Sequence, residues 1–161
     1  MTYRIQNRDE VPIRALNIVV ETEQRRLLAR VRRNGTCETA NYLAGLIRNG
    51  RYPMWCAHQF INYLLKHGEL QAAEIVLLSI KRSGEKHFLI DILQARWFWS
   101  MGDRKKALRF TNRKAKEWKH SSLYNVLYGM YKLLGRQGES DRCNQMAERL
   151  AISEIARSNG S

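Results

Sequence analysis

Apolar and polar positions along this chain follow the spacing of amphipathic helices, and alternating apolar/polar runs of the kind found in strands are hard to find. The only prolines are Pro12 and Pro53, and the long stretches between breakers are rich in Leu, Ala, Arg and Lys, which form helices readily. The pattern predicts an all-α protein. Its eight main helices, taken as four hairpins, are predicted at 22–34 with 37–48, 54–67 with 70–83, 87–101 with 104–118, and 122–134 with 140–156.

Glycines mark the predicted helix ends at a nearly constant spacing. One series, at spacings of 33, 34 and 36 residues, consists of Gly35, Gly68, Gly102 and Gly138. Five positions after each comes a small residue: Ala40, Ala73, Ala107 and Cys143. A glycine just past a helix adopts the left-handed conformation at little cost, and a small residue early in the next helix lets the two helices approach closely. A period of this length predicts stacked helix hairpins, because neither helix of a hairpin can bury its apolar face alone.

This pattern resembles tetratricopeptide-type (TPR-like) helical repeats from Glu21 to Ala156. The best match is the unit Pro53–Gly84, with Phe60 and the turn "HGEL" at the positions that the family pattern favours. The resemblance implies a right-handed stack of about four helix hairpins, a TPR-like α-solenoid. The same unit partly resembles pentatricopeptide repeats, which share the hairpin and nearly the same period, so the subtype stays open.

The chain is expected to consist of an N-terminal leader at 1–20 with a short helix near 13–20, the repeat domain at 21–156 and a flexible tail at 157–161. No apolar run is long enough for a transmembrane helix, and the N-terminus has polar and acidic residues where a signal peptide needs an apolar core. The expected location is cytoplasmic. The three cysteines do not suggest a disulfide framework.

Charge is the strongest compositional signal. Lys and Arg total 28 against 15 acids, which gives a formal net charge of +13. Such a field attracts polyanions, whether nucleic acid, acidic protein segments or anionic lipid, without choosing among them.

The candidate partner-binding residues lie on the first helix of each hairpin, which by resemblance lines the concave side of such a stack. They are Arg25, Arg32, Arg33, His58, Asn62, Lys66, Arg96, Trp99, Tyr128, Lys132 and Arg136. None is acidic. Arginine forms bidentate contacts with carboxylate or phosphate, and aromatic rings supply flat apolar platforms. This set suits an extended acidic peptide or a single-stranded nucleic acid.

A second basic surface is predicted on the helix at 104–118. At 100° per residue, five cations fall within about 120° of arc, and the opposite side is expected to hold Ala107, Leu108, Ala115 and Trp118. They are Lys105, Arg109, Arg113, Lys116 and Lys119. One interpretation is a solvated outer face, and the other is a patch that follows phosphates.

Catalytic and metal-binding patterns are weak. Cys56 and His58 lack a second Cys/His pair that would complete a zinc site, and the common nucleotide-binding and hydrolase motifs do not occur. Asp91 is expected to face inward and to pair with Arg96 or another base. The favoured function is a non-catalytic adaptor, assembly factor or chaperone-like module that binds an acidic protein segment, with no cofactor, metal or small-molecule substrate. The alternative is an RNA-binding helical-repeat protein.

Overall fold

A computed structural model describes the backbone of residues 13–160 and the side chains of residues 18–160. The described part of the chain is all-α and contains eight helices and no strand. The helices are α1 (Ile13–Asn34), α2 (Thr36–Arg48), α3 (Met54–Lys66), α4 (Leu70–Arg82), α5 (Phe88–Ser100), α6 (Arg104–Trp118), α7 (Ser121–Leu133) and α8 (Gln137–Asn159). The predicted all-α class is confirmed, and the bounds of α2 to α7 agree with the predicted bounds to within one residue.

The two terminal helices are longer than predicted. The short helix expected near 13–20 is the beginning of α1, because no glycine or proline interrupts the chain between Ile13 and Asn34. Helix α8 begins before the expected residue 140 and continues to Asn159, so the expected tail from residue 157 overlaps its last turn. The first twelve residues of the expected leader lie outside the described residues.

The glycine series is more regular than predicted. Gly35, Gly68 and Gly102 have positive φ angles of 88°, 72° and 85°, as expected of residues that end helices. The fourth member is Gly135, with a φ of 70°, whereas the predicted Gly138 lies inside α8. The spacings are therefore 33, 34 and 33.

The small residue that follows each of these glycines by five positions is fully buried. The four are Ala40, Ala73, Ala107 and Ser140, each 0% exposed. Ser140 takes the place expected for Cys143, because the count begins at Gly135. Its hydroxyl donates to the backbone oxygen of Tyr128 on α7 at 3.2 Å, so the position also joins the two helices of the last hairpin.

The described residues divide into two compact units, with the boundary between Lys86 and His87. In unit 1, α1 packs against α2 and α3, and α4 packs against α2 and α3. Its largest fully buried side chains include Leu43, Phe60, Ile61, Leu64 and Ile80. The buried Ser79 of α4 donates to the backbone oxygen of Ala44 on α2 at 3.0 Å. Unit 1 thus has an apolar core with a neutral polar contact between its second helices.

In unit 2, α7 packs against α5, α6 and α8, and α5 packs against α6. One core cluster consists of Ile92, Ala115, Leu123 and Leu127. A second contains Ala95, Ala107 and Met130. The carboxylate of Glu154 on α8 accepts two 2.7 Å hydrogen bonds from the backbone and side chain of Ser121 at the start of α7. The last hairpin is therefore joined at both ends.

Histidines start two of the helices in unit 2. The Nδ1 atoms of His87 and His120 accept hydrogen bonds from the backbone N–H of Leu89 and Ser122, at 3.1 and 3.2 Å. These bonds satisfy N–H groups that have no partner inside the helix. Phe88 lies between the two imidazoles, with ring centroids 4.4 Å from His87 and 3.8 Å from His120. The positions of both histidines beside helix ends are explained by capping.

No helix of the described chain is both long and apolar enough to cross a bilayer.

Candidate functional site

The three predicted arginines of α1 are exposed. Arg25 and Arg32 are separated by seven residues, about two helical turns, and so share a face. The ion pairs of α1 within the described side chains use other arginines: Arg26 bonds Glu23 at 2.7 Å and Arg30 bonds Glu38 at 3.1 Å. The guanidinium groups of Arg25, Arg32 and Arg33 therefore remain directed toward solvent.

The sequence did not single out Arg30, whose guanidinium lies 3.7 Å from the ring centroid of Tyr42 on α2. The two residues lie at similar distances along the sequence from the turn at Gly35. Pairing the two antiparallel helices about that glycine would therefore have predicted the contact. The contact between Arg30 and Tyr42, with the ion pair to Glu38, holds α1 and α2 together.

Helix α3 presents fewer predicted binding groups than expected. Lys66 is exposed at its end and Asn62 is half-buried. His58 differs from the prediction, because its side chain is only 6% exposed and its ring meets the edge of Trp55 at a centroid distance of 6.1 Å. His58 is buried because α3 packs against both α1 and α4, which widens its covered face. It is therefore part of the interior of unit 1.

On α5, Arg96 is exposed and Trp99 is half-buried. The guanidinium of Arg104 lies 5.1 Å from the Trp99 ring centroid, which covers one face of the indole. The base that pairs with Asp91 is Lys114 of α6, at 3.9 Å, and the same carboxylate accepts a 2.7 Å hydrogen bond from the Trp118 indole. The acid of α5 is thus turned toward α6.

The predicted residues near the end of α7 interact with their own neighbours. The ammonium of Lys132 donates to the Tyr128 hydroxyl at 3.3 Å and lies 5.5 Å from that ring's centroid. Arg136 donates to Glu139 at 2.6 Å, and this hydrogen bond raises the pKa of Arg136 and holds the pKa of the Glu139 carboxyl below its ordinary value. Lys132 and Arg136 are exposed, while Tyr128 is half-buried. Lys132 is the cation of this group that no described carboxylate neutralises.

The five cations predicted on α6 are all exposed, and they are called the α6 stripe below. The opposite face buries only small residues, Ala107, Thr111 and Ala115. The one acid within α6, Glu117, bonds Lys114, which is not part of the stripe. The N-terminal neighbour Asp103 caps the helix by accepting from the Lys106 backbone N–H at 3.1 Å. Both nearby carboxylates are therefore occupied elsewhere.

Thiol, metal and acid–base chemistry find little support among the described side chains. Cys56 is 1% exposed, and burial, followed by the charge of Glu23, raises its pKa to about 11, so it remains a thiol at neutral pH. Burial also raises the pKa of Cys143. Among residues 18–160, no group of three or more His, Cys, Asp and Glu side chains could hold a metal ion. Exposed cations, by contrast, occur on α1, α5, α6 and α7.

Comparison with known proteins gives no match to a family model, to a curated protein or to a solved structure.

Proposed function

We propose that the chain is a non-catalytic interaction module, built as a right-handed stack of about four TPR-like hairpins, that binds an extended acidic segment of another protein through its first helices. The observation that supports this proposal is the scarcity of acidic side chains on those helices. Helices α3 and α7 contain no Asp or Glu, and in α1 two glutamates stand against six arginines. The single acid of α5, Asp91, is taken up by Lys114 and Trp118.

The packing within each unit supports a stack of hairpins. In unit 1, the first helices α1 and α3 touch each other, and so do the second helices α2 and α4. In unit 2, α5 and α7 are in contact in the same way. First helices that pack side by side present their exposed residues on a common side of the unit, which is the arrangement that an extended ligand needs.

Each unit supplies its own cations. Unit 1 contributes Arg25, Arg32, Arg33 and Lys66. Unit 2 contributes Arg96 and Lys132, with Trp99 and Tyr128 as half-buried aromatic neighbours. Arginine offers bidentate hydrogen bonds to carboxylates, and an excess of positive charge accelerates the encounter with an acidic segment. Arg136 contributes less, because Glu139 already pairs with it.

The test is binding of a fluorescein-labelled, Glu-rich peptide that carries Leu and Tyr residues. The combined variant Arg32→Glu, Arg96→Glu and Lys132→Glu is expected to weaken binding at least about tenfold, because three attractive contacts become repulsive. The control is Lys105→Glu, Arg109→Glu and Lys116→Glu on the α6 stripe, which changes the net charge by the same amount. Equal losses of peptide affinity in both variants would mean that net charge alone causes the effect. That result would contradict a binding site on the first helices.

A further inference from the structure

Two residues of the α6 stripe, Arg109 and Arg113, have counterparts with a packing role in the preceding hairpin. Helices α4 and α6 follow Gly68 and Gly102, which are 34 residues apart, so Ile75 corresponds to Arg109 and Ser79 to Arg113. Ser79 is buried and bonds Ala44 of α2, and Ile75 is half-buried. Arg109 and Arg113 are instead exposed. Two packing positions of α4 are therefore occupied by exposed cations in α6, and the other three stripe positions correspond to exposed residues.

The stripe forms a regular row along the helix. Lys105, Arg109 and Arg113 succeed one another every four residues, about 6 Å along the axis, and the helical part of the row, from Lys105 to Lys116, is about 17 Å long. An interval of this size is close to the separation of neighbouring phosphates on one nucleic acid strand. A row of cations spaced three or four residues apart on one side of a helix can therefore meet several successive phosphates.

The row also lacks the groups that would favour a protein ligand. None of its five positions is apolar, and a peptide of moderate affinity usually needs buried apolar anchors. The nearest aromatic rings are already covered. Lys106 lies 4.6 Å from the Phe98 centroid, and Arg113 and Lys114 lie 5.6 and 5.9 Å from that of Phe110. Cations already lie near these two half-buried rings, so contacts would be made mainly to the backbone of a strand.

We propose that the α6 stripe is a binding surface for single-stranded nucleic acid, which it holds through phosphodiester groups without reading the bases. This surface is separate from the first-helix cations of the proposed function, and the two are tested independently. Lys and Arg contacts to phosphates fix the position of a strand and carry no direct sequence information. The expected signature is strong dependence on salt and weak dependence on base composition.

The experiment measures fluorescence anisotropy of labelled 12-nucleotide oligo(U) and oligo(A) RNA against the full chain over a range of salt concentrations. With five phosphate contacts, the logarithm of the affinity should fall with log salt at a slope of about −3.5, so affinity drops about 100-fold between 50 and 200 mM salt. The two RNAs should bind within a few-fold of each other.

Two matched variants locate the site. Lys105→Gln, Arg109→Gln and Lys116→Gln remove three stripe cations, and the slope should become shallower by about 2. The control, Arg142→Gln, Arg149→Gln and Arg157→Gln, removes three exposed cations of α8 and should keep the original slope. All six residues are exposed, so both variants are expected to fold, which circular dichroism verifies.

Three results would overturn the proposal. The first is an equal change of slope in both variants, which would mean attraction by net charge alone. The second is a preference of more than about tenfold for one RNA, which would require base contacts. The third is loss of Glu-rich peptide binding in the stripe variant with RNA binding unchanged, which would assign this surface to an acidic protein. Failure of the first-helix variants in the peptide assay would affect only the proposed function.

Discussion

Helices α4 and α6 begin at corresponding places in successive hairpins, yet they use their surfaces differently. Helix α4 buries Ala72, Ala73, Val76, Leu77, Ser79 and Ile80. Helix α6 buries only Ala107, Thr111 and Ala115 and carries seven Lys and Arg residues. The shared alanine, 73 or 107, preserves the close approach within the hairpin. Two helices that follow glycines in the same way thus differ in their surfaces, one mainly apolar and buried and the other mainly cationic and exposed.

The largest expected effect compares Ile80 with its counterpart Lys114. Ile80 is 0% exposed, so Ile80→Ala should lower the free energy of unfolding by about 2–4 kcal/mol, because it loses apolar burial and leaves a cavity. Lys114→Ala should cost less than about 1 kcal/mol, because its ion pairs with Asp91 and Glu117 are partly exposed. Denaturant unfolding of both variants measures the difference. Similar losses of unfolding free energy would show that α6 contributes as much to the packing of the fold as α4 does.

The comparison extends to the polar contacts inside each unit. Unit 1 uses the neutral bond from Ser79 to Ala44, whereas unit 2 uses the carboxylate of Glu154, which accepts two hydrogen bonds from Ser121. Burial alone would raise the pKa of Glu154, but the bonds from Ser121 and the charge of His120 outweigh it and hold the pKa below the ordinary 4.5. A lowered pKa in the folded state stabilises the protein above the ordinary value, and this contribution is lost as the pH falls through the folded value.

Glu154→Gln should therefore lower the free energy of unfolding by about 1–2 kcal/mol at neutral pH, since two hydrogen bonds lose their ionised acceptor. The difference from the unchanged chain should shrink as the pH falls below 4.5. Denaturant titrations at several pH values, or hydrogen exchange resolved for α7 and α8, measure it. The matched control is Glu148→Gln on the same helix, whose carboxylate bonds the Asn144 side chain. A pH-independent cost for Glu154→Gln would contradict the role of its charge.

The ends of the two helices offer the next test. Helix α4 is followed by Gly84 with a φ of 79°, whereas α6 is followed by Lys119 with a φ of 50°, the one described non-glycine residue with a positive φ. Gly84→Ala should cost about 1 kcal/mol, because a Cβ is unfavourable in the left-handed region. Lys119→Gly should stabilise the chain by about 0.5 kcal/mol, since relief of this strain exceeds the added freedom of the unfolded chain. Thermal unfolding measures both, and effects of the same sign would contradict the assignment of strain to Lys119.

The same substitution also tests the α6 stripe. Lys119→Gly removes one of its five cations, so the salt slope for RNA should become shallower by about 0.7. Binding and stability should then change in opposite directions. A structural disturbance would lower both.

Much of the fold could be predicted because the signals are local. Helical spacing and the left-handed glycines at 35, 68 and 102 specify where α2 to α7 begin and end. The last turn, "LLGRQGES", contains two glycines, and only the conformation of the chain selects Gly135 over Gly138. The α6 stripe is exposed, and helical angles place its cations on one side of the helix. The same angles place the buried alanines on the opposite face.

Features that depend on neighbouring helices could not be predicted in this way. His58 lies at the edge of the apolar face of α3 and becomes buried only because α3 is covered by both α1 and α4. The contact between Phe88 and His120, at 3.8 Å, joins residues far apart in the chain. The spacing of residues along the sequence predicts which of them share a helix face. Which helix covers that face follows only from the three-dimensional packing.

A further small effect is expected when Ser79 is compared with its counterpart Arg113. Ser79→Ala removes the 3.0 Å bond to the Ala44 backbone oxygen from a site that is 5% exposed. It should cost about 0.5–1 kcal/mol, because alanine is a better helix former and offsets part of the lost bond. Arg113→Ala should change stability by less than about 0.5 kcal/mol, because the side chain is exposed, while its contribution to the RNA salt slope should be lost. Denaturant unfolding and RNA titration of both variants complete the test. The difference between α4 and α6 holds if Ser79→Ala changes only stability and Arg113→Ala changes only RNA binding. A loss of stability in Arg113→Ala with RNA binding unchanged would show that the stripe is a packing surface.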